Sequence, residues 1–182
     1  VRSSREQVDL FQLTGTGAAF EGAGLTLETH IVEPVHAVAS LGQNAGSLAS
    51  LPGFVFTRLG KVDGNPVLVE HLNVSQAVFP DFDQLLLEGQ SLSRLVEQRY
   101  QRRPIGGQQM LSVATLTSTE ANLLEVEPGH AALLVERRLD FSGASGAIFA
   151  RLLVLTHRVT LTQTLTEPSG LSAMPLSLEK TR

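Results

Sequence analysis

The chain has 182 residues, a net charge of −4 and 42% hydrophobic residues, which bounds it to one domain with a real core rather than a disordered chain. Its pI near 5.7 gives it no basic footprint of the kind a nucleic-acid-binding surface needs. There is no cysteine, so disulfides, thiolate catalysis and Cys-ligated zinc are excluded and a cytoplasmic protein is expected, and no apolar run approaches the roughly 20 residues of a membrane span.

Residues 1–24 are polar and then glycine-rich, and Gly15, Gly17, Gly22 and Gly24 predict a flexible lead-in. The first residue is Val1 rather than Met, so the chain reads as part of something longer. A strand pattern begins at Leu25, with Leu25, Leu27 and Ile31 in alternation, and is expected to stop at Pro34. Small residues over 35–51 predict a helix closed by Pro52-Gly53. Two strands, 54–62 and 66–74, follow as a hairpin around Asp63-Gly64. Phe79-Pro80 opens a short helical piece through Leu87, and Ser91 stands as the N-cap of a helix over 92–100. The basic residues Arg94, Arg99, Arg102 and Arg103, interleaved with Glu97, read as a solvated helix face.

The second half repeats the plan. Residues 110–116 predict a strand, Ser118 caps a short helix that ends at Glu127-Pro-Gly-His, and strands over 131–141 and 148–161 flank a turn at 142–146. Residues 167–182 are a Pro- and Ser-containing tail. Each half thus reads strand–helix–strand–turn–strand, an α+β chain whose two similar halves share one antiparallel sheet. Overlaid, Arg58 falls near Arg137 and Glu70 near Arg151.

Charges on apolar strand faces are the informative feature. Phe54, Phe56, Arg58 and Val62 share one face of the first hairpin strand, and Leu68, Glu70, Leu72 and Val74 one face of the second. A two-residue turn at Asp63-Gly64 puts Arg58 and Glu70 on opposite faces. A three-residue loop pairing Lys61 with Asn65 joins the stripes, and is preferred because it gathers the Phe, Leu and Val residues on one side. The other side, with Thr57, Leu59, Val69 and His71, is then half-wet. Arg137 shares a face with Leu133, Val135, Leu139 and Phe141; Arg151 shares one with Phe149, Leu153, Leu155, His157 and Val159.

A charge in such a stripe must be paired, hydrogen-bonded or in contact with a ligand. Three arginines and a glutamate suit a small anionic or polyhydroxylated ligand, with guanidinium forks gripping a carboxylate or phosphate. Pairing among the charges themselves remains an equal reading for Arg58 and Glu70, and an exposed or locally paired position one for Arg137. No metal-ligand spacing, G-x-S-x-G or Walker motif is present, so neither a metal, a cofactor nor a catalytic nucleophile is expected.

The segment from Arg58 through Lys61-Val-Asp-Gly-Asn-Pro to Glu70 resembles the strand–turn–strand of the UTRA (UbiC transcription regulator-associated) domain, the effector-binding half of GntR-superfamily regulators of the HutC subfamily. The likeness continues in order through Phe79-Pro80, the run from Ser91 to Tyr100, Thr119-Glu-Ala-Asn-Leu-Leu and the run from Leu134 to Asp140. It implies a chorismate-lyase-like fold, a homodimer, and an effector pocket that controls a winged helix-turn-helix domain lying N-terminal to this chain. Residues 1–24 are then a linker, 25–166 the effector domain and 167–182 a tail. In the family's sugar-phosphate sensors two arginines and a glutamate of the hairpin contact effector; Arg58 and Glu70 match the first arginine and the glutamate, while Gly60 stands at the second arginine. Ser91 matches a serine of the pattern, Ser93 stands where an aromatic is common, and Arg151 where a glutamate is common. These departures point to a more anionic effector, a carboxylate rather than a phosphosugar. The expected effector-binding set is Arg58, Glu70, Ser91, Ser93, Arg137, Arg151 and His157. The alternative is a chorismate-lyase-like enzyme on the same fold.

Overall fold

The computed structural model describes residues 7–10, 12–43 and 48–164; the predicted tail at 167–182 lies outside them. Its centre is a six-stranded sheet of order β2-β3-β4-β7-β6-β5, antiparallel throughout. The strands are β2 (Glu28–Val38), β3 (Gly53–Val62), β4 (Asn65–Ser75), β5 (Gly106–Thr115), β6 (Ala131–Phe141) and β7 (Ala144–Val154). Two three-stranded meanders meet at the β4–β7 pair, so the expected pairing of two similar halves in one chorismate-lyase-like sheet is what forms. A two-stranded parallel pair, β1 (Gln7–Val8) with β8 (Thr160–Leu161), ties the described N-terminal segment to the chain after β7.

Helices cover both faces. On one side lie α1 (Thr16–Gly22) and α2 (Leu92–Tyr100), over a core that includes Phe20, Phe54, Phe56, Leu72, Phe79, Phe82, Val96 and Phe141. The Phe79 ring meets Tyr100 and Phe141 edge-on at 5.2 and 5.1 Å, and the Tyr100 hydroxyl donates to the Pro80 carbonyl at 2.8 Å. On the other side α3 (Ser118–Leu123) packs Ala121 and Leu124 with Leu59, Val69, Leu153 and Leu155. The side expected to be half-wet is therefore a second apolar core.

The local differences from expectation have physical causes. Glycines at 15–24 do not make a flexible lead-in; they bracket α1, with Gly15 at φ 95° and Gly24 at φ 77°, while Thr16 and Phe20 are buried. Pro34 does not end a strand, because β2 is an edge strand with register shifts on either side of Glu33 and asks little of that missing N–H. The helix expected at 35–51 does not form where the residues are described, and 44–47 lie outside them. Only one 3₁₀ turn, Phe82–Gln84, appears in the predicted piece before Leu87. β5 begins at Gly106, earlier than expected, and β7 begins at Ala144 and ends at Val154. There Leu155 N–H reaches Val67, and Arg158 turns back onto the carbonyls of Leu124 and Glu125 at the end of α3. The cap of α3 is Thr117 rather than Ser118: its hydroxyl accepts from the Glu120 N–H at 3.2 Å while the Glu120 carboxylate accepts from the Thr117 N–H at 2.9 Å. Among the described residues no helix is long and apolar enough to cross a membrane.

Candidate functional site

The hairpin that sets the site takes the turn the sequence disfavours and still joins the two stripes. Val62 pairs with Asn65 across a two-residue turn, with both Asp63 (φ 49°) and Gly64 (φ 76°) left-handed. The register then slips by one residue between Gly60↔Leu68 and Lys61↔Pro66, leaving Val67 as the extra residue of a bulge. The bulge does what a longer loop was expected to do: Arg58 stands directly opposite Glu70 on the face covered by α1 and α2.

Between that face and the two helices lies a cavity of about 300 Å³, at the small end of ligand pockets. Leu27, Leu72, Val96, Leu139, Ile148 and Ala150 give it apolar walls, and Thr16, Arg58, Glu70, Ser91, Ser93 and Arg137 a polar lining. Arg58 and Glu70 are each 4% exposed. The Arg58 Nε donates to Glu70 Oε2 at 2.9 Å, its Nη2 donates to the same oxygen, and its Nη1 reaches the Gln90 carbonyl at 3.2 Å. The Thr16 hydroxyl donates to the other Glu70 oxygen at 3.4 Å. The two residues thus pair with each other, as one of the two readings expected, while remaining on the cavity wall.

Arg137 reaches the same cavity from β6, buried to 6% exposure. Its Nε donates to Gln109 Oε1 on β5 at 2.8 Å, and its Nη2 to the Leu10 carbonyl of the N-terminal segment. Burial pulls this guanidinium below its ordinary range, and the Glu70 carboxylate opposes the shift. Glu21 and Arg94 pair at 2.7 Å at the rim, bridging α1 and α2. Arg94 therefore leaves the basic cluster read as a solvated face, whereas Arg103 does pair with Glu97 there. Among the charged residues lining the cavity, three arginines stand against two glutamates, so one positive charge is left over.

Ser91 occupies the N-cap position of α2, but its side chain makes no capping bond. Its hydroxyl lies 3.1 Å from that of Ser93, which donates to the Thr14 carbonyl at 3.0 Å. The first-turn N–H groups of α2 are thus left without a side-chain acceptor beside the cavity, the partial positive end of a helix that suits an anion.

The structure brings Arg58, Glu70, Ser91, Ser93 and Arg137 together and leaves two expected residues out. Arg151 is on the opposite face, paired across the sheet with His71 and Glu136, and its Nη1 donates to Glu120 at 3.0 Å. Strand alternation explains this: Ile148, Ala150 and Leu152 of β7 point to the side of the main core, so Arg151 cannot. Glu70 and Arg151 are therefore not counterparts, and the argument for an acidic ligand from a glutamate-to-arginine exchange there lapses. His157 is exposed in the turn after β7, its ring 5.2 Å from that of His130. Sequence reasoning missed Thr16 and Gly15, because 15–24 read as loose chain, and Arg94, because it read as surface.

The sequence profile of the UTRA domain matches residues 22–141. The Escherichia coli K12 protein named "Probable fructoselysine utilization operon transcriptional repressor" is 22% identical over 117 residues, 62% of this chain and 48% of that protein. The chain thus spans about half the length of the curated relatives it matches. Among solved structures, the effector domain of PhnF from Mycobacterium smegmatis superposes with a TM-score of 0.79 at 17% identity, covering 88% of this chain and 99% of that one. The C-terminal domain of YurK from Bacillus subtilis gives 0.66 at 20% identity, covering 73% and 93%.

Proposed function

Because the chain belongs to the UTRA domain family, a ligand-sensing rather than catalytic module of transcription regulators, we propose that its cavity binds a small anionic effector, a carboxylate or a sugar phosphate. The observation that carries this is the buried Arg137, the cavity's surplus positive charge, beside an apolar wall and an uncapped helix N-terminus. An anion there gains a guanidinium and first-turn N–H donors in a water-poor site.

Arg137 also suggests how occupancy is read. The guanidinium that lines the cavity holds the Leu10 carbonyl, and Thr16 and Ser93 hold α1 to Glu70 and α2. An effector that draws on these groups competes with the contacts fixing the N-terminal segment. Its binding shifts the populations of two arrangements of that segment by at most its differential affinity for them. In this reading residues 1–24 form the lead from an N-terminal winged helix-turn-helix domain, 25–166 the sensor and 167–182 a tail. The full protein is a cytoplasmic homodimeric repressor that touches DNA only through that other domain.

Thermal unfolding against a panel of sugar phosphates, amino acids, small carboxylates and neutral sugars tests the proposal. One anionic class is expected to raise the midpoint by several degrees, with the shift lost in Arg137→Gln. Stabilisation by neutral sugars alone, or equal shifts in native chain and variant, would contradict it.

A further inference from the structure

The two edges of the sheet are built differently. β2 carries Glu28, Glu33 and Pro34 and two register shifts, the usual devices that stop an edge from pairing further. β5 has none of them. It runs ten consecutive pairs with β6 without a bulge, from Gly106↔Asp140 to Thr115↔Ala131, and contains no charged residue and no proline. Its side chains are exposed where a half-buried strand hides them: Met110 is 51% exposed, Leu111 46% and Val113 75%.

We propose that the free edge of β5 is the seam through which two copies of this chain pair, antiparallel, into one continuous twelve-stranded sheet. The proposal rests on the reading of the protein as a homodimer and assigns the surface that makes it. A second copy is the occupant because the edge suits itself. In an antiparallel ladder alternate residues point both N–H and C=O outward, so a two-fold axis across β5 brings donors to acceptors in each direction. The absence of charge means that self-pairing opposes no like charges, whereas two β2 edges would oppose glutamates. A two-fold perpendicular to the sheet also keeps faces matched, so Leu111 and Val113 on the cavity side meet their own counterparts, as Met110 does on the side of α3. Gln109, which accepts from the Arg137 guanidinium, is a residue of this strand. The seam and the pocket arginine are therefore one hydrogen bond apart, and the dimer arrangement is within reach of the ligand.

Sedimentation equilibrium of the 182-residue chain is expected to show a dimer. The double variant Leu111→Lys/Val113→Lys sets like charges across the seam and is expected to weaken the dimer at least about tenfold, while Val32→Lys on the opposite edge leaves it unchanged. Thermal unfolding of each variant establishes that it is folded. Because the chain has no cysteine, Ser112→Cys on β5 is expected to be cross-linked between copies by a short bis-maleimide, and Ala37→Cys on β2 is not. A dimer that survives both lysines, or cross-links through Ala37→Cys instead, overturns the seam but leaves the homodimer standing. A native chain that remains monomeric at every concentration overturns both.

Discussion

Removing Glu70 should destabilise this domain far more than an ordinary substitution, because the carboxylate is the partner of a buried guanidinium. Arg58 and Glu70 are each 4% exposed, and Glu70 Oε2 accepts two of the three hydrogen bonds that Arg58 makes among the described residues. In Glu70→Ala the guanidinium keeps only the Gln90 carbonyl at 3.2 Å, and the nearby Arg137 loses the one carboxylate that favours its charge. Breaking a buried pair from one side costs about 3–5 kcal/mol. At about 2–4 °C per kcal/mol for a domain of this size, that is a midpoint lowered by roughly 6–20 °C. Glu70→Gln, which keeps the shape and an acceptor oxygen, should lose less. Arg58→Met/Glu70→Leu, which removes both charges and fills the space, should return to within about 1 kcal/mol of the native chain, yet bind no anion. The assay is urea unfolding followed by far-UV circular dichroism, since the chain has no tryptophan, with a shifted midpoint at constant slope. If Glu70→Ala costs less than about 1 kcal/mol, or the double variant falls as far as both single variants together, the pair is not the buried unit described here.

Other substitutions separate the site from the scaffold. Burial pushes the Glu120 carboxyl up, but the Thr117 N–H and hydroxyl and the Arg151 guanidinium outweigh it and hold the group below its ordinary value. A depressed carboxylate stabilises above the ordinary glutamate value, about 4.3, and loses that contribution as pH falls through the folded value. The stability gap between the native chain and Glu120→Gln, measured by urea unfolding at several pH values, should therefore close in acid. Arg151→Ala should cost about 1–2 kcal/mol through the half-buried Glu120 contact and leave the thermal shift produced by any effector unchanged. Gly15→Val forces a Cβ to within 2.6 Å of the Ser93 hydroxyl at a backbone angle of φ 95°. It should loosen α1 from α2, seen as faster amide exchange over Thr16–Gly22 together with weaker effector binding.

Much of the architecture was legible because apolar alternation and turn chemistry report it directly. The stripes of Phe54, Phe56 and Arg58 and of Leu68, Glu70 and Leu72 predict a shared face, and they share it. What the pattern could not show was how. A two-residue turn followed by a bulge at Val67 gives the same facing as a longer loop, and only the register tells them apart. Arg151 was misplaced for a related reason: β7 is apolar on both faces, with Phe149, Leu153 and Val154 as buried as Ile148 and Leu152, so alternation carries no signal for which side is the pocket. The glycines at 15–24 misled in the other direction, since local flexibility says nothing of the tertiary contacts through Thr16 and Phe20 that fix α1. Pro34 and the small residues after it imitate a strand end and a helix, because the tolerance of an edge strand for proline is a property of its neighbours, not of its sequence.

The measurement that bears most directly on the cavity as an effector site is a titration of isotopically labelled chain, followed through its backbone amide resonances, with the panel compound that gives the largest thermal shift. Binding in the cavity predicts that the earliest and largest changes fall on Ser91–Arg94, Thr16 and the neighbours of Arg137 on β6, with Leu10 moving as its carbonyl contact is drawn away. Changes confined to the α3 face or to the turn around His157, with Ser91–Arg94 and Thr16 unmoved, would contradict it.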